Sequence, residues 1–172
     1  MRTTLFWIEG PWPGRLAIVP RPRGGDWLED EVRAWQAAGL DIVVSLLTPA
    51  EVTELDLGKE GAWCQAYGIQ FYAFPIADLG VPLSRKASVE LISKLDKALS
   101  EGKNIAVHCR QSIGRSGLLA ACLLIGSGAA PETAFERVSA ARGCPVPETI
   151  EQREWVHTLS TELSVALPRN RQ

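Results

Sequence analysis

The chain has 172 residues, enough for one domain that buries a sizeable core. Its charge is nearly balanced, 18 Lys+Arg against 20 Asp+Glu, which speaks against a general nucleic-acid or anionic-membrane binder. A hydrophobic fraction of 46% and a charged fraction of 22% belong to a globular chain, not a disordered one.

Residues 1–25 are rich in Pro, Gly and Trp and read as an arm packed on the domain, with short strands at Leu5–Ile8 and Leu16–Val19. A helix is expected from Asp26 to Gly39, with Trp27, Leu28, Val32 and Trp35 on its apolar face. Asp41–Leu47 has the composition of a parallel strand buried on both faces. Helical stretches follow around Pro49–Leu55 and Lys59–Tyr67. Ile69–Phe74 is a second strand that runs into a Pro/Gly loop, Pro75–Pro82. Ser84–Glu101 is an amphipathic helix, and Asn104–His108 is a third short buried strand. Helices are expected at Gly114–Ile125, Pro131–Arg142 and Pro147–Leu167, and residues 168–172 read as a frayed tail. Strands alternating with helices define an α/β domain over residues 26–167, a mostly parallel central sheet flanked by helices.

The four cysteines, Cys64, Cys109, Cys122 and Cys144, form no C-x-x-C pair, and there are only two His. Neither a structural zinc site nor a disulfide scaffold is expected. The start of the chain has too short an apolar run for a signal peptide, and the longest apolar stretch, Leu118–Ile125, is too short to span a bilayer. The expectation is a cytoplasmic protein without membrane insertion.

One segment carries chemistry: His108-Cys109-Arg110-Gln111-Ser112-Ile113-Gly114-Arg115-Ser116. It lies between a buried strand and an apolar helix, where open α/β sheets bind ligands. Cys109 and Arg115 stand in the spacing C-x5-R, and the intervening residues Arg110, Gln111, Ser112, Ile113 and Gly114 can wrap backbone N–H groups around one tetrahedral anion. The following helix N-terminus adds positive potential, and the planar Arg115 fork suits phosphate oxygens. That setting favours Cys109 as a thiolate nucleophile. A proton donor is then needed for the leaving oxygen. Asp78 is the candidate, 31 residues before Cys109 and just past strand 69–74. Were that strand to neighbour 104–108 in parallel, both loops would leave the same sheet edge.

At these residues the chain resembles the cysteine-dependent protein tyrosine and dual-specificity phosphatases, with their signature H-C-x5-R-[S/T]. Pro75-Ile76-Ala77-Asp78 through Pro82, the 118–124 helix and Glu148-Thr149-Ile150-Glu151-Gln152 look most like the kinase-associated type, named for cyclin-dependent kinase inhibitor 3. The resemblance implies a protein tyrosine phosphatase-like fold and a phosphorylated protein or peptide substrate, with no metal or other cofactor. It implies that His108 braces the loop, that Ser116 donates to the Cys109 sulfur, and that Gln152 orients water. Family loops carry Gly where this chain has Ser112; a left-handed backbone there would strain Ser by roughly 1 kcal/mol. The reaction implied is hydrolysis of phosphotyrosine, and open to phosphoserine or phosphothreonine, through a phosphocysteine intermediate. A catalytically weak phosphopeptide-binding module and a phosphoinositide or nucleotide phosphatase on the same fold remain alternatives. Oligomeric state is not legible.

Overall fold

The computed structural model describes residues 3–167; the tail expected at 168–172 lies outside the described residues. Five strands, β1 (Phe6–Ile8), β2 (Leu16–Ile18), β3 (Ile42–Ser45), β4 (Gln70–Ala73) and β5 (Ile105–His108), form one sheet in the order β1-β2-β5-β3-β4. Only the β1/β2 pairing is antiparallel; β2, β5, β3 and β4 run parallel. The register sets Ser45 beside both His108 and Ala73, so three strands end level at one edge.

The sheet order corrects one expectation. Strand 69–74 borders β3 rather than β5, because the short β3 takes the central place between them. Since all three are parallel, the loops after β4 and β5 still leave the same edge. The arm is built into the sheet: β2 pairs directly with β5.

Side-chain alternation along the strands splits the core in two. Ile42, Val44, Ile105 and Val107 face one cluster; Val43 and Ala106 face the other. The first cluster is covered by α4 (Arg85–Ser100), α5 (Gly114–Gly126), α6 (Pro131–Arg142) and α7 (Ile150–Ala166). The second lies under α1 (Leu28–Ala37) and α3 (Glu60–Ala66), with the short α2 (Pro49–Glu54) after β3. Every residue of α5 is buried, as an all-round apolar sequence requires. This central helix begins within the Cys109–Arg115 segment, at Gly114.

Three local readings shift. The first helix begins at Leu28 after a single 3-10 turn, Gly25–Trp27. Trp27 consequently leaves the apolar face: it is 56% exposed and carries the Arg23 guanidinium over its ring at 4.4 Å. Trp12, whose flanking prolines suggest exposure, is instead half-buried, its indole N–H donating to Asp96 Oδ1 at 2.9 Å. The last helix starts at Ile150 rather than Pro147, because Thr149 and Gln152 make a reciprocal capping box. Among the described residues, no helix is long and apolar enough to cross a membrane.

Candidate active site

Four loops converge at the carboxyl edge of the sheet. The one after β5 runs from Cys109 into α5, and Cys109 is only 2% exposed. Gly114 opens α5 under close cover: a Cβ there would sit 2.9 Å from both Gln152 Oε1 and Glu148 Oε2. With Gly at this position the ends of both side chains lie close against the first turn of the helix.

Arg115 follows in the first turn and is buried. Its Nη1 donates to Glu51 Oε1 at 2.6 Å and to the Ile76 carbonyl at 2.9 Å, while Nη2 donates to Glu51 Oε2 at 2.9 Å. This two-pronged pair fixes the plane of the guanidinium. Burial opposes the Arg115 charge, but Glu51, Cys109 and Asp78 outweigh it and hold the guanidinium above its ordinary pKa. The Arg115 hydrogen bonds hold the Glu51 carboxyl down at about 2.

Asp78 lies in the loop after β4, with Oδ1 3.3 Å from Arg115 Nη2 and accepting from the Leu79 N–H at 3.1 Å. The expected nucleophile, anion-binding Arg and acid thus meet in one place. Asp78 is the exposed member, suited to reaching a leaving group at the mouth.

Ser112 adopts φ 55°, so the left-handed backbone that Gly would favour is indeed required in this loop. Its hydroxyl donates to the Val19 carbonyl at 2.7 Å in a buried setting. That bond offsets a strain of about 1 kcal/mol by a comparable amount. Arg110 turns outward to Glu54, with contacts of 2.9 and 3.2 Å, Gln111 is exposed, and Ile113 is half-buried.

A family model described as "Polymorphic toxin system, DSP-PTPase phosphatase" matches residues 19–129, which contain Glu51, Asp78, Cys109, Ser112 and Arg115. The chain belongs to this DSP-PTPase family. It is 26% identical over 142 residues to cyclin-dependent kinase inhibitor 3 of Rattus norvegicus, covering 81% of this chain and 66% of the relative. The chain thus spans about two thirds of the length of the curated relatives it matches. In three dimensions it superposes on kinase associated phosphatase bearing a serine for its catalytic-site cysteine, with a TM-score of 0.83 and 21% identity, covering 95% of this chain and 97% of that one. Tk-PTP in its active form gives a TM-score of 0.75 at 26% identity, covering 94% and 99%. The mixed α/β architecture is that of the protein tyrosine/dual-specificity phosphatases.

In this DSP-PTPase chain the remaining expected residues take distinct places. His108 faces away from the Cys109 side of the sheet; its Nε2 meets Glu60 Oε1 at 2.5 Å and its ring lies 6.1 Å from that of Trp35. His108 Nδ1 and Ser116 Oγ are buried without a hydrogen-bond partner among the described residues. Gln152 is buried rather than solvated at a helix surface, because its Nε2 donates to the Gly80 carbonyl at 3.1 Å and its amide packs against Gly114. It ties the Asp78 loop to the foot of α7.

Three supporting residues escaped sequence reasoning: Glu51, Glu60 and Arg142. Glu51 carried a readable signal, since Thr48-Pro49-Ala50-Glu51 is a capping box just after a buried strand, and both of its hydrogen bonds form. Glu60 and Arg142 act across 48 and 30 residues of sequence, and no local pattern marks them.

Proposed function

We propose that the chain is a cysteine-dependent phosphoric monoester hydrolase acting on phosphotyrosine-bearing proteins or peptides. The observation that carries this reading is the meeting of Cys109, the fixed Arg115 fork and Asp78 at the N-terminus of the buried α5. The Cys109 thiolate attacks phosphorus in line, forming the S–P bond as the P–O bond to the substrate breaks. Arg115 and the loop N–H groups stabilise the equatorial oxygens. Asp78 gives its proton to the departing oxygen, then takes one from the water that cleaves the S–P bond. The unpartnered Ser116 hydroxyl donates to the Cys109 sulfur as it leaves, and Gln152, whose amide packs against Gly114 at the start of α5, orients that water in this reading.

Arg110 is engaged by Glu54, not presented to a second phosphate, which favours a single-phosphate substrate over a phosphoinositide. The Ser112 tie to Val19 likewise favours turnover over a binding module, since the strained loop is anchored.

Turnover of p-nitrophenyl phosphate and of a phosphopeptide panel by wild type, Cys109→Ser and Asp78→Ala tests the reading. Loss of turnover in Cys109→Ser is expected, with the Asp78→Ala deficit largest for poor leaving groups. Wild-type turnover in Cys109→Ser would sink the mechanism, and faster hydrolysis of phosphoinositide head groups than of phosphopeptides would replace the substrate class.

A further inference from the structure

Outside the C-x5-R segment, one buttress of the phosphate loop stands out. Arg142, in the last turn of α6, donates from Nε to the Ser112 carbonyl at 2.7 Å and from Nη2 to the Gln111 carbonyl at 3.4 Å. Its guanidinium lies over the ring of Phe6, on β1, at 4.3 Å. From the β2 side, the Val19 carbonyl accepts the Ser112 hydroxyl, while the Val19 N–H is bonded to Val107 of β5.

Peptide planarity makes these contacts informative. Within one peptide unit the C=O and N–H point in opposite directions. Holding the Gln111 and Ser112 carbonyls on the Arg142 side therefore directs the N–H groups of Ser112 and Ile113 the other way. It also keeps two carbonyl dipoles, whose negative ends would repel a phosphate, turned out of the cradle. Both peptide bonds flank the left-handed Ser112, where the backbone has the strongest tendency to relax.

We propose that Arg142, stacked on Phe6 of the N-terminal strands, is a positioning residue that sets the inward-facing N–H groups of the phosphate loop. The first strands thereby take part in the active site without touching substrate. This inference rests on the phosphatase reading only in that the loop must bind a tetrahedral oxyanion.

The test uses the full chain as wild type, Arg142→Met and Arg142→Lys. The affinity for tungstate, the kinetics on p-nitrophenyl phosphate and the thermal midpoint are measured for each. Arg142→Met is expected to weaken tungstate binding and lower kcat each by about tenfold, from the misdirection of loop donors. Arg142→Lys keeps the charge and one donor; it is expected to recover part of both losses with a midpoint near wild type. Should Arg142→Met not fold, Arg142→Lys decides: weaker tungstate binding at an unchanged midpoint supports the role. Wild-type tungstate affinity and kcat in the folded variants would overturn it. Tungstate binding by a wild-type chain without turnover would remove the enzymatic reading yet leave the Arg142 comparison valid. A wild type that neither binds tungstate nor turns over would overturn both.

Discussion

Arg115 and Glu51 face each other as a buried, two-pronged ion pair, with Nη1–Oε1 at 2.6 Å and Nη2–Oε2 at 2.9 Å. Glu51 thus fixes the plane of the Arg115 guanidinium. Glu51→Gln preserves the shape but loses the charge and one acceptor. Its kcat/KM on p-nitrophenyl phosphate is expected to fall about tenfold. Glu51→Ala strips the buried Arg115 of its two-pronged partner, leaving the 3.3 Å contact to the exposed Asp78 carboxylate as its ion pair, and is expected to cost about 3 kcal/mol of stability, measured by urea unfolding.

The same carboxylate predicts an acid-sensitive component of stability. The Glu51 pKa in the fold, about 2, lies below its ordinary 4.5, so its contribution is fully present above about 4.5. It is lost as pH falls toward about 2, because the unfolded chain takes up the proton first. Across that window wild type is expected to lose stability more steeply than Glu51→Gln. Parallel curves for the two proteins would contradict the assignment.

On the other face of the sheet, His108 and Glu60 make a contact of 2.5 Å at complete or nearly complete burial. Removing one partner strands a polar group that water cannot reach. Glu60→Ala is expected to lower the thermal midpoint by roughly 10 °C, from about 3 kcal/mol in a chain of this size. Its effect on kcat should be smaller than that of Glu51→Gln, since Glu60 reaches only His108, the last residue of β5, on the face away from Cys109.

Much of the frame was legible. The near-continuous apolar runs within Asp41–Leu47 and Asn104–His108 mark strands buried on both faces, and α5 announces its burial by its long apolar run. The Cys109–Arg115 spacing pointed to the cradle, and the departure at Ser112 pointed to its left-handed backbone. What the sequence concealed depends on tertiary pairing. A four-residue strand carries no label for its neighbour, so β3 could not be placed between β4 and β5 from composition. Arg142 reads as a helix C-terminal cation until its partners are seen across 30 residues.

Thiol chemistry offers a test that separates Cys109 from the two core cysteines. Burial pushes the Cys64 thiol up to about 12 and raises Cys122 further still. Neither is expected to react with iodoacetamide at neutral pH while the chain is folded. Mass spectrometry should find Cys109 alkylated and protected by tungstate. Early modification of Cys64 or Cys122 at constant fold would contradict their placement in the two cores.

Ser112 sets two small forces against each other, and a pair of variants separates them. Its φ of 55° costs a non-glycine residue about 1 kcal/mol, and its hydroxyl bond to the Val19 carbonyl at 2.7 Å contributes about as much in return. Ser112→Gly gives up the bond but also the strain, so its stability should stay within about 0.5 kcal/mol of wild type. Ser112→Ala keeps the strain, loses the bond and leaves the Val19 carbonyl without this donor, and should cost about 1–2 kcal/mol. The order wild type and Ser112→Gly above Ser112→Ala, read from denaturant midpoints, is the expected outcome. If Ser112→Ala proved the more stable of the two variants, the hydroxyl bond could not be what anchors the left-handed turn.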